Sequence, residues 1–230
     1  MGQWLARLPG EGEVRRLACL LALALLTGCN LVITHKAMFT AADGAGAPSL
    51  RPGLWRMEIG EDKCQVDESR PLSEWPSCGG GMVVGAGTVS YFDRDGDTPV
   101  FKTDPLVLAA GQPILGQVKL SLSGSIKLTG DAYAYVAVRP TKLDEAGRPT
   151  RFEFWPVQCG PPTKDASKYF TDQPAAGVKI EPITTDSDVM KSLGPLCTID
   201  DPAIMRRVAA QSEAWLPHVG VGHWVRDKAD

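Results

Sequence analysis

Apolar residues along this chain recur mostly at every second position, in short runs broken by glycine and proline. Trp55, Met57 and Ile59 alternate with Arg56 and Glu58, the period of a strand with one buried face. The alternation is clearest at 114–122, where Ile114, Val118, Leu120 and Leu122 take one side and Gln117, Lys119 and Ser121 the other. Residues 82–92 are β-rich but glycine-interrupted, 125–139 carry Tyr133, Tyr135, Val136 and Val138, and 150–158 hold Phe152, Phe154 and Trp155. Val219, Val221 and Val225 mark a last short strand. Asp95-Gly96 and Ala146-Gly147 fall between such runs, where hairpin turns belong.

One segment changes period. With Asp200 or Asp201 as cap and Pro202 in the first turn, Ile204, Met205, Val208, Ala209, Trp215 and Leu216 form an apolar stripe at helical spacing, and Pro217 ends it. The expected fold class is therefore mainly β (α+β): an antiparallel sheet, small barrel or sandwich, with one C-terminal helix packed on it. Alternation within strands does not separate a barrel from a sandwich. Eighteen prolines and 24 glycines fit a chain of turns and short elements.

The N-terminal residues follow another logic. Ten apolar residues, 17–26, come directly after Arg15 and Arg16. As a helix they would span about 15 Å, half of a bilayer's hydrocarbon core. That is too short to cross a membrane and suits the apolar region of a signal peptide. Leu26-Thr27-Gly28-Cys29 comes next. This string resembles the lipobox of bacterial lipoproteins, a leucine and two small residues before a modified cysteine, and matches it at all four positions. The resemblance implies diacylation of the Cys29 sulfur, cleavage that makes Cys29 the first residue, and acylation of its new amine by a chain such as palmitate. Two or more chains hold a protein stably on a membrane, one only marginally. Asn30, where an aspartate marks inner-membrane retention, favours the outer membrane with the domain facing the periplasm. Arg51-Pro-Gly-Leu-Trp55 and Gly222-His-Trp-Val-Arg-Asp227 also resemble stretches of uncharacterised proteobacterial lipoproteins, and they imply no activity.

On this reading residues 1–28 are a signal peptide, 29–53 a lipid-anchored tether and 54–230 a single β-rich periplasmic domain. The tether rests on low periodicity and on the small-residue stretch at 41–49.

Of six cysteines, Cys19 leaves with the signal and Cys29 takes the lipid. Cys64, Cys78, Cys159 and Cys197 remain, an even set that reads as disulfides in an exported domain. Three pairings are possible; Cys64–Cys78 and Cys159–Cys197 are expected. Structural zinc would need cysteines in tight pairs, two to four residues apart, and no such pair exists.

Charge and motifs narrow the function classes. The chain has 24 Lys+Arg against 27 Asp+Glu, and losing residues 1–28 would remove three arginines and two glutamates. A mildly acidic chain without a basic stripe is a poor nucleic-acid binder. Asp93, Asp95 and Asp97 sit at positions 1, 3 and 5 of a possible calcium loop with Asp104 at position 12. Its glycine is at the wrong position and Pro99 intrudes, so a polar hairpin turn is favoured. His218 and His223, five residues apart, fall on opposite faces of a strand and would not share a metal. No nucleophile elbow or phosphate loop is found: Ser121, Ser123 and Ser125 suit a strand edge, and Gly79-Gly80-Gly81 lacks a following lysine. Glu58, Glu153 and Asp131 are generic acid–base candidates. Trp55, Trp75, Trp155, Trp215 and Trp224 suit a core better than a ligand cleft.

The function expected is thus that of a membrane-anchored envelope lipoprotein, a non-catalytic binding or structural module. Its partners would be the membrane, through the lipid on Cys29, and an envelope protein, with no cofactor and no resident metal. The alternatives are a periplasmic hydrolase assembled only in the fold, signalled by a deep cleft with a Ser or an acid beside His218 or His223, and a calcium-dependent module at Asp93–Asp97.

Overall fold

The computed structural model describes residues 30–60, 64–76, 78–95, 98–119, 131–163, 171–181 and 196–227, with 91–103 described by backbone alone. Cys29 and the rest of the proposed signal region, and Ser121, Ser123 and Ser125, lie outside these residues.

The elements in chain order are β1 (Ile33–Thr34), β2 (Gly53–Glu58), β3 (Gly80–Val84), β4 (Thr88–Asp95), β5 (Thr98–Ala109), β6 (Ile114–Lys119), β7 (Tyr133–Leu143), β8 (Pro149–Pro156), β9 (Lys179–Glu181), β10 (Leu196–Thr198), α1 (Pro202–Ser212) and β11 (Gly220–Arg226). Strands β2 to β8 run as an antiparallel meander. The sheet then closes because β11 enters between β8 and β2. The result is a closed antiparallel barrel of eight strands, and β1 pairs with the first residues of β7, beyond the end of β8.

Closure follows from residues small enough to let large ones in. The interior is filled by Trp55, Val84, Ile114, Val138 and Phe152, with Met57, Met82, Leu106, Leu108, Val136, Phe154 and Trp224 around them. Alternation along the strands therefore serves a barrel core.

The outer wall is covered twice. Over β5–β8 lie α1 and the N-terminal segment: Met205, Val208 and Ala209 of the helix, with Val32 and Phe39, pack on Leu115, Tyr135, Ala137 and Trp155. Asp201 caps α1, its carboxylate accepting from the Ala203 N–H at 2.7 Å, and Pro202 opens the first turn. Trp155 donates its indole N–H to the Ala209 carbonyl at 2.8 Å. The second cover is the loop 64–76 over β2, β3 and β11, whose Leu72 and Trp75 pack on Leu54. Gly81 makes that possible, since a Cβ there would come 2.3 Å from the Leu72 side chain.

Three expectations are corrected. The segment read as a tether is part of the folded body: Val32 is 1% and Phe39 2% exposed, and Asn30 donates to the Gly160 carbonyl at 2.6 Å. Its apolar residues fall at no regular period because each fills a separate gap in the wall. Gln117, expected on a solvent face, is 3% exposed, accepts from the Met38 and Phe39 N–H groups and donates to the Phe39 carbonyl. The glycine-interrupted reading of 82–92 holds, with β3 and β4 joined by a turn at Gly85–Gly87. Ile59, read as the third apolar position of a strand, lies past the end of β2 and is 39% exposed.

Cys64 bonds to Cys78 and Cys159 to Cys197. The first bridge closes the 64–78 cover. The second joins the stretch after β8 to β10, next to the bridge between Val32 and Cys197.

Candidate functional site

The two short sequence stretches singled out above meet in space. Arg51-Pro-Gly-Leu-Trp55 enters β2 while Gly222-His-Trp-Val-Arg-Asp227 leaves β11, and Trp55 lies opposite Trp224. The Arg51 guanidinium stacks on Trp224 at 3.4 Å, and Trp224 donates its indole N–H to the Pro52 carbonyl at 2.9 Å. Arg51 pairs with Asp227 at 3.4 Å, while its Nε is buried with no acceptor. Gly53 sits at φ +122°, and a Cβ on it would come 2.2 Å from the Arg226 carbonyl oxygen. Only glycine allows this approach of the two strands.

Beside this seam is a groove of about 500 Å³, lined by Arg51, Lys142, Leu143, Asp144, Thr150, Arg151, His223 and Trp224. Register explains its floor. Lys142 of β7 lies opposite Arg151 of β8, Arg151 opposite His223 of β11, and His223 opposite Arg56 of β2. Four basic residues therefore form one row across four strands. Their sequence neighbours Phe152 and Trp224 belong to the interior core, as alternation requires.

The row divides in two. Arg56 is neutralised by Glu58 at 3.1 Å and Glu68 at 2.9 Å, and also donates to the Cys64 carbonyl. His223 Nε2 contacts the same Glu68 carboxylate at 2.9 Å. Burial pushes the Glu68 carboxyl up, but hydrogen bonds and charge from Arg56 and His223 outweigh it and hold it below the ordinary glutamate range. At the other end, Lys142 and Arg151 are exposed. Asp144, the only acid lining the groove, is committed to Arg148: that residue's backbone N–H is the chief cause of its lowered pKa, and the guanidinium lies at 2.8 Å.

This arrangement can hold an anion. His223 meets the Glu68 carboxylate, the Thr150 hydroxyl that also lines the groove donates to the Lys142 carbonyl at 3.4 Å, and Ser69 donates its hydroxyl to Asp67. His218 lies before β11, outside the groove lining. The acid–base candidates are apart and separately paired, Glu58 with Arg56, Glu153 with Arg139 and Asp131 with Lys119.

The strand pairing around Asp93–Asp97 is that of the hairpin favoured over a calcium loop. Asp93 and Asp95 lie on β4, paired with Val100 and Thr98, while Asp104 lies on β5 opposite Val89. Position 12 is thus four residues along the hairpin from position 1, about 13 Å at strand rise, and Asp97 lies outside the described residues. Of the tryptophans, Trp55, Trp75 and Trp155 are buried. Trp224 alone among the tryptophans lines the groove, where a place in the core was expected.

Comparison with protein-family models, with curated proteins and with solved structures finds no match in any of the three. Among the described residues no helix is long and apolar enough to cross a membrane.

Proposed function

We propose that this chain is an exported, lipid-anchored envelope protein whose barrel acts as a non-catalytic binding module. The observation that carries the reading is the pair of disulfides joining Cys64–Cys78 and Cys159–Cys197, which suits an oxidising compartment. It agrees with the lipobox-like Leu26-Thr27-Gly28-Cys29. A barrel interior filled with aromatic and aliphatic side chains supports binding on the outer wall and at the strand ends rather than in a central cavity.

The burial of Asn30 adds a geometric consequence. A lipid on Cys29 would leave the domain no slack, since Asn30 is held by Gly160 and its carbonyl accepts from the Cys159 N–H at 2.7 Å. The barrel would stand directly on the membrane, and outer-membrane placement facing the periplasm is the position we favour.

Intact mass of the protein from a membrane fraction tests this. The expected result is a chain beginning at Cys29 with added acyl mass. An unacylated chain that retains residues 1–28 would overturn the proposal.

A further inference from the structure

Lys142 and Arg151 are cations paired across neighbouring strands at an irregularity of the β7–β8 ladder, and like charges paired in this way are destabilising unless something neutralises them. Neither has a hydrogen-bond or ion-pair partner among the described residues. This is not the habit of the chain's arginines. Every other arginine whose side chain is described meets an oxygen, from a carboxylate or a backbone carbonyl. The chain also has more acids than bases, so unpaired cations are not forced by composition. The pair lies on the floor of the groove walled by Arg51 and Trp224.

We propose that this groove binds a phosphate-class oxyanion across Lys142 and Arg151, with the Arg51–Trp224 stack as its wall. Charge chooses the class. A single carboxylate would leave one of the two cations uncompensated, whereas a phosphate dianion balances both. The planar guanidinium of Arg151 offers paired donors to two phosphate oxygens, and the lysine adds a point charge from the side. Both residues line the same groove, and their long side chains start from paired positions on adjacent strands, within reach of one tetrahedral anion. The inference gives a ligand class to the binding-module reading and rests on that part of it. It does not depend on the lipid, so the mass measurement and the binding measurement fail separately.

The same chemistry occurs on soluble phosphates and on phosphomonoester lipid headgroups, and two assays separate them. Calorimetric titration of the full chain in detergent with inorganic phosphate and with pyrophosphate measures the soluble ligand. Sedimentation with phosphatidylcholine vesicles, with and without phosphatidate, measures the lipid. Binding in the first assay supports the site with a soluble source, and phosphatidate-dependent binding in the second alone supports it with a lipid source. In either case Lys142→Gln and Arg151→Gln each weaken binding roughly tenfold, and Lys36→Gln, an exposed lysine elsewhere, leaves it unchanged. Absence of binding in both assays would overturn the proposal, as would binding that survives in the Lys142→Gln/Arg151→Gln double variant with its melting temperature intact.

Discussion

Gly222 of β11 lies opposite Phe152 of β8, and a Cβ on that glycine would come 2.4 Å from the phenyl Cζ. Gly220 stands in the same relation to Phe154, at 2.3 Å. Two glycines on one strand thus receive two rings from the next, and the rings fill the barrel where β11 joins it. Phe152 also packs on Trp55, their centroids 5.0 Å apart, so the contact carries through to β2.

Gly222→Ala should therefore destabilise the protein by about 1–3 kcal/mol through overpacking, read as a lower melting temperature in near-ultraviolet circular dichroism. Adding Phe152→Leu should return part of the loss, because the smaller side chain vacates the space. A Gly222→Ala protein as stable as the parent would show that the rings do not need the glycines.

Phe39 and Val32 test whether the N-terminal segment belongs to the fold. Phe39→Ala removes a ring packed edge-on against Tyr135, with centroids 6.2 Å apart, and should cost about 3–5 kcal/mol. A tether residue would cost nothing. Hydrogen exchange gives a second measure: the Val32 amide, bonded to the Val157 carbonyl at 2.9 Å, should be protected like a sheet amide.

Much of the barrel was legible from period-two alternation, although β2, β6 and β8 also bury residues of the opposite face, Leu54, Leu115 and Trp155, under the covers of the outer wall. The N-terminal segment was not, because Val32, Phe39 and Leu50 fill separate gaps and leave no period to read. Gln117 misled for a related reason: its amide serves as a hydrogen-bonding partner for the backbone at Phe39, a contact 78 residues away. The groove was illegible because its row crosses three strand pairings, and only register places Lys142, Arg151 and His223 side by side. The helix was the easiest element, with its cap, its proline and its stripe all local.

Glu68 predicts a pH dependence. Its carboxyl is held below the ordinary glutamate range, so its contribution to stability is complete above that range and is lost as pH falls through the folded-state value. Glu68→Gln should lower stability at neutral pH and flatten the acid limb of the melting-temperature profile. An acid limb unchanged from the parent would remove Glu68 from the account.

Each disulfide can be removed separately. The chain-entropy model assigns about 3 kcal/mol to the Cys64–Cys78 loop and about 4 kcal/mol to the longer Cys159–Cys197 loop. Cys159→Ser/Cys197→Ser should be the more damaging pair, since both cysteines are fully buried beside Val32. Denaturant unfolding of the two double variants orders them, and the reverse order would contradict the role given to the second bridge.

The position of β11 governs how this chain reaches its final form. Its partners, β2 and β8, lie far upstream, so the meander must wait with two unpaired edges until the last strand of the described chain arrives between them. Such edges are templates for pairing with another molecule. A molecule truncated before Gly220 would therefore keep most of its own contacts while gaining two adhesive flanks. During synthesis the same exposure lasts until β11 emerges, which makes that strand the part of the chain whose delay favours aggregation over completion.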